Sequence, residues 1–190
     1  MVVMLFISIA ASAQVVKVSA GVKGVGVTNI MDIGLVTYGG GGGAFAGVKI
    51  ANVLGIQAEA VYAYQTGTAR QYTSHNRYMV TVNHEYMYLP VLMQIWCGRS
   101  MALEVGYQQA IALSGTLKKS DYTYDDTGVF DYGSFLAGLN FNLGKVVTLG
   151  FRYAYSQDYC YIYDNVPAYG HNIQVGLGFR FFTTKKRLFK

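Results

Sequence analysis

Charge is scarce in this sequence. Asp, Glu, Lys and Arg make up 13% of its 190 residues, against about 25% in an ordinary soluble domain. Long hydrophobic runs are also missing. No stretch after the first 15 residues approaches the roughly 20 apolar residues of a membrane helix. Cysteine occurs only at Cys97 and Cys160, so one disulfide is the most the chain could form. The marks of common chemical sites are absent too. The glycine runs at Gly21 to Gly26 and Gly39 to Gly43 lack the G-K-[ST] ending of a phosphate loop. His84-Glu85 opens an H-E-x-x-H pattern, but position 88 is Tyr88, so a zinc site is not supported. Asp121, Asp125, Asp126 and Asp131 do not have the spacing of a calcium loop. The formal net charge is +5, yet the cations form no basic patch on a nucleic-acid-binding module. Four of them, Lys185, Lys186, Arg187 and Lys190, sit in a terminal tail. No cofactor, no metal and no nucleic acid is expected.

What the chain has is apolarity, glycine and tyrosine. Apolar residues make up 52%, with 23 Gly and 17 Tyr. The pattern is clearest from Tyr169 to Phe182. Tyr169, His171, Ile173, Val175, Leu177, Phe179 and Phe181 alternate with Gly170, Asn172, Gln174, Gly176, Gly178, Arg180 and Phe182. A period of two marks a strand, whose successive side chains point to opposite faces. Here one face is large and apolar, and the other is small or polar.

Seven more segments read the same way: 16–27, 44–50, 56–65, 77–96, 101–113, 130–141 and 146–156. Alternation is poorest in 77–96, where Pro90 removes a ladder donor and predicts a bulge or irregular pairing. The expected loops are Thr28 to Gly43, Thr66 to Asn76, Ser114 to Val129 and Gln157 to Ala168. The expected turns are Ala51 to Gly55, Cys97 to Ser100 and Asn142 to Lys145. Long and short connections therefore alternate. Membrane barrels do this, with an even strand count, long external loops and short periplasmic turns. The predicted fold is all-β, an eight-stranded antiparallel up-and-down transmembrane β-barrel.

Tyr62, Tyr64, Tyr132, Tyr153, Tyr155 and Tyr169 fall beside the long loops and are expected to form an outer aromatic girdle. Trp96, Phe141, Phe179 and Phe181 fall beside the short turns and are expected to form the inner one. The first residues, MVVMLFISIAASA, combine an apolar core with an A-x-A pattern, which predicts a signal peptide over residues 1–13. The barrel then spans 14–182 and the basic tail 183–190.

Several stretches carry a family resemblance: SAQ at the cleavage site, GVKGVGV, GIQAEAVYAYQTG, YMYLPVLMQ, LEVGYQQAIAL and the terminal GLGFRF. Together they resemble the small outer-membrane β-barrels of the porin-like superfamily, of PorT-like and OmpA type. GIQAEAVYAYQTG and YMYLPVLMQ are the most specific. The resemblance implies an integral protein of the outer membrane of a Gram-negative bacterium, with outer-membrane lipid as its surroundings. The family's closing strand usually ends the chain on an aromatic residue. Here Thr183 to Lys190 follow it.

On this register the lumen carries Lys17, Lys23, Lys49, Glu59, Glu104, Arg152 and Arg180. The interior of an eight-stranded barrel is just wide enough for side chains to fill, and buried charges there must pair. A plugging network is expected, with Glu59 and Glu104 bridging Arg152, Arg180 or Lys49. The expected role is structural or interactive, with a protein or surface ligand meeting the external loops, above all 114–129 and 158–169. The alternatives are a narrow porin-like solute channel and an outer-membrane component of a secretion or assembly machine. A soluble lipocalin-like carrier would need the reverse register. No enzyme is expected: His171 faces outward near the outer rim and Ser134 lies on the sixth strand, but no acid is placed to orient the histidine. Cys97 and Cys160 fall at opposite ends, about 25 Å of apolar band apart, so no disulfide joins them.

Overall fold

The computed structural model describes residues 15–31, 35–73, 76–119, 122–125, 131–159 and 167–187. The expected signal peptide and Cys160 lie outside the described residues, as do most of the loop tips. Nine strands follow one another: β1 (Val15–Met31), β2 (Val36–Ile50), β3 (Leu54–Thr73), β4 (Asn76–Cys97), β5 (Met101–Lys119), β6 (Tyr122–Asp125), β7 (Tyr132–Leu143), β8 (Val147–Tyr159) and β9 (Pro167–Arg187). Each long strand pairs antiparallel with the next, β5 with β7, and β9 returns to β1. Eight strands thus close a ring. The four-residue β6 only lengthens the β5–β7 connection. A closed ring leaves no unpaired edge within the wall, which a strand sheet in lipid requires.

The wall is inverted relative to a soluble protein. Val22, Ile56, Val91, Ile95, Leu103, Val105, Phe135, Phe151, Ile173 and Leu177 are exposed on the outside. Glu59, Gln65, Gln94, Glu104, Gln108, Asn140, Arg152, Asn172 and Gln174 are buried inside. An apolar exterior around a polar interior excludes the soluble carrier and fits a lipid-spanning barrel. The strict two-residue period puts the two sets on opposite faces of the same strands.

Three turns close one end: 51–53, 98–100 and 144–146. All use left-handed backbone, at Ala51 and Asn52 (φ 51° and 60°) and at Gly98 and Gly144 (both 84°). The third residue of each turn accepts a bond from the neighbouring strand: Trp96 N–H to Val53 O, Asn142 N–H to Ser100 O and Arg180 N–H to Val146 O, all 2.7 Å. Val15 and Arg187 pair at this same end.

The opposite end differs from the sequence expectation. Pairing of β1 with β2 continues to Ile30 and Val36, and pairing of β3 with β4 to Thr73 and Asn76. Much of three of the four expected loops is strand, because backbone pairing can continue in water beyond the apolar band. The run Gly39 to Gly43, expected in a loop, lies within β2 and pairs on both sides. β3 and β4 have 20 and 22 residues, against 12 in β7. Crossing a bilayer takes about 9–11, so β3 to β5, with β6, stand well above the rim.

Two further differences come from irregular pairing. Phe181 is an extra residue at the β1–β9 irregularity beside Ala20/Gly21, so Phe182 turns outward opposite Ala20 and is exposed. Pairing continues past Phe182 to Arg187, so backbone expected in a tail extends β9. At Pro90 the expected irregularity is a local loss of pairing without a register shift. The β3–β4 ladder omits the rungs around Glu59 and Pro90 and resumes in register, while the shift in β4 falls at Glu85/Tyr86 against β5.

Candidate functional site: the filled lumen

Alternation aims Lys23, Glu59, Glu104 and Arg152 inward from β1, β3, β5 and β8, and the ring brings them together. The Arg152 guanidinium uses its whole donor fork. Nη1 and Nη2 donate to Glu59 at 2.8 and 2.7 Å, and Nε donates to Glu104 at 2.7 Å. Lys23 Nζ donates to Glu59 at 2.8 Å. Gln57 and Gln94 add neutral donors: Gln57 to Glu59 at 2.6 Å and Gln94 to Glu104 at 2.8 Å. Asn140 donates to Glu104 at 3.0 Å. Two carboxylates therefore meet two cations, and each carboxylate accepts several bonds. A buried ion pair persists only when its remaining lone pairs are satisfied in this way.

The other three expected members stand elsewhere. Lys17, Lys49 and Arg180 line the mouth at the short-turn end. Lys49 Nζ lies 3.5 Å from the centroid of the Trp96 ring, a cation–π contact. Arg180 Nη2 donates to Asn142 Oδ1 at 3.1 Å. None of these three bonds Glu59 or Glu104. They lie on the right face at the wrong height along the barrel axis.

A second layer crosses the lumen toward the loop end. Thr37 donates to Gln65 at 2.8 Å, and Gln65 donates to the Tyr88 hydroxyl. Tyr88 and Tyr132 hydroxyls are 3.2 Å apart. Tyr86 stacks on Tyr88 and meets Tyr132 edge-on. Two girdle expectations are corrected here. Tyr132 and Trp96 are each only 8% exposed, because they share the phase of Ser134 and Leu136, and of Leu92 and Gln94, which face inward. Tyr62, Tyr64, Tyr153, Tyr155, Tyr169, Phe179 and Phe181 are exposed on the outside. Tyr86 and Tyr88 escaped the sequence reading, although their even-numbered phase in β4 marks them.

Between the layers the void is about 10 Å³, bordered by Lys23, Glu59, Tyr88, Pro90 and Gln108. That is about the volume of one water probe. Ser134 and His171 point to opposite faces of the wall. Ser134 is buried in the lumen, whereas His171 shares the outward phase of Ile173 and bonds the Tyr153 hydroxyl at 2.6 Å. Asp131 accepts the Ala112 amide at 2.8 Å. No cluster of metal-binding side chains occurs among the described residues. Cys97 is free and exposed.

A closed eight-strand ring with this inverted wall agrees with what sequence families say. The outer membrane protein beta-barrel domain model matches residues 1–181. The chain belongs to this family. It is therefore an outer-membrane protein of a Gram-negative bacterium, its wall set in lipid. No curated protein matches it in sequence. Among solved structures it is similar to Ail, the attachment invasion locus protein of Yersinia pestis (12% identity, 87% of this chain and 98% of that chain, TM-score 0.48). It is similar also to Neisserial surface protein A (14%, 87% and 97%, 0.47) and to OprG from Pseudomonas aeruginosa (10%, 89% and 96%, 0.44).

Proposed function

We propose that this outer-membrane barrel is a closed, non-catalytic scaffold that presents its external end for contact with a protein or surface ligand. The filled lumen carries the reading. Arg152 ties both carboxylates, and the space beside them is about 10 Å³, too small for a solute larger than water. The taller wall of β3, β4 and β5 supplies backbone for contact beyond the lipid. Of the expected contact segments, residues 114–119, 122–125, 158–159 and 167–169 lie at that end, and the rest fall outside the described residues.

The test is single-channel recording of the refolded protein in a planar bilayer. Stable insertion without steady openings is the expected outcome. Reproducible openings of one size would replace this reading with the narrow channel, in which Glu59, Glu104 and Arg152 set selectivity.

A further inference from the structure

The mouth at the short-turn end holds a cavity of about 520 Å³, within the size range of small-ligand pockets. Its lining includes Lys17, Lys49, Arg99, Lys145 and Arg180, and no carboxylate among the described residues. Charge does not cancel from above, because Glu59 and Glu104 are already committed to Lys23 and Arg152. Like charges gathered on one concave wall repel one another, and a low-dielectric surround focuses their field on the space between them.

Two buried donors in the same wall lack partners. Arg180 Nε and Trp96 Nε1 are both shielded from solvent and make no hydrogen bond. Both belong to side chains that border the cavity, but the two atoms themselves are closed off from its opening, so the lysine ammonium groups and the rest of the Arg180 guanidinium are what a ligand meets. Arg180 already spends Nη2 on Asn142, which fixes one edge of its planar fork. A planar guanidinium beside lysines suits a multiply charged oxyanion, which accepts several bonds at once.

We propose that this mouth is a binding site for a phosphate-type oxyanion reached from the periplasm, held by Arg180, Lys49 and Lys17. The group can come from a soluble phosphorylated compound or from the headgroup of an inner-leaflet phospholipid. The site is independent of whether the lumen conducts, since the charge network lies deeper in the barrel.

Trp96 is the sole tryptophan and carries Lys49 on its ring, so its emission reports directly on the cavity. The experiment titrates the refolded full-length protein, in zwitterionic-lipid nanodiscs, with inorganic pyrophosphate. A saturable one-to-one change in Trp96 emission is expected, absent when sodium chloride matches the ionic strength. Lys49→Gln with Arg180→Gln weakens binding about tenfold or more. Lys118→Gln, an exposed cation on β5 toward the external end, leaves it unchanged. A response that follows ionic strength alone overturns the site without reference to any variant, as does equal affinity in the double variant. Nanodiscs containing phosphatidylglycerol then assign the source. Loss of pyrophosphate binding there identifies the lipid headgroup as occupant, and unchanged binding identifies a soluble one.

Discussion

Arg152 holds the interior together, because one planar fork meets carboxylates from β3 and β5 while rooted in β8. Removing it leaves Glu104 with neutral donors only and Glu59 with Lys23. Arg152→Ala is expected to cost about 3–5 kcal/mol of stability, the range for breaking one partner out of a buried ion pair. Lys23→Met should cost less, since Arg152 still bridges Glu59 twice. Adding Glu104→Gln to Arg152→Ala should recover part of the loss, because the uncompensated charge goes with it. Urea unfolding of the detergent-refolded variants measures all three. A loss for Arg152→Ala no larger than for Lys23→Met would mean that the network is decorative. At this scale the sequence showed which charges face inward, because parity alone decides that. Which charges meet depends on height along the axis. Lys49 and Arg180 lie beside the short turns, whereas Glu59 lies five residues beyond the start of β3. Counting from the turns separates the two groups.

Among the elements, β2 is the unusual one. At Gly41 an added Cβ would run into the Tyr62 carbonyl of β3, whereas at Gly42 it would meet only Lys23 O at 3.4 Å. Neighbouring glycines thus serve different purposes. Gly41→Ala should cost about 1–3 kcal/mol through forced backbone movement, and Gly42→Ala should stay within about 0.5 kcal/mol of the parent. Urea midpoints of the two refolded variants test the contrast, and equal midpoints would remove the close approach as a reason for the run. Five glycines carry no side-chain alternation, so the first half of β2 was illegible as strand, whereas 44–50 was read as one. β4 was obscure for a different reason. Tyr86, Tyr88, Leu92 and Trp96 face inward while Leu89, Val91, Met93 and Ile95 face outward, so both faces are apolar and the contrast vanishes. β8 and β9 were clear because Arg152, Asn172 and Gln174 punctuate one face only.

For the whole molecule, orientation is the quantity to test. The free thiol of Cys97 lies at the end of β4, next to the 98–100 turn, and should face the periplasm. In a Cys160→Ser background, a membrane-impermeant maleimide should spare intact cells and label the protein once the outer membrane is permeabilised. Labelling of intact cells would invert the barrel and place the cationic cup at the cell exterior. The alternation of long and short connections predicts this orientation. It understated the long-loop end, because strands there outlast their hydrophobic pattern: β3 runs to Thr73 and β5 to Lys119. Nothing in a two-residue period says where pairing stops once both faces are wet.

The seam between β1 and β9 carries a consequence for how the chain can be written. Val15 and Arg187 are partners across that seam, so the two ends of the described chain meet on one rim, beside turns of only three residues. The ring itself has no first strand. Joining those ends through a short linker and opening the polypeptide at Asn52 or Lys145 would keep every rung of the barrel while changing which strand emerges last from the ribosome. The order of synthesis, and with it whatever signal an assembly machine reads in the final strand, is thus separable from the architecture it produces.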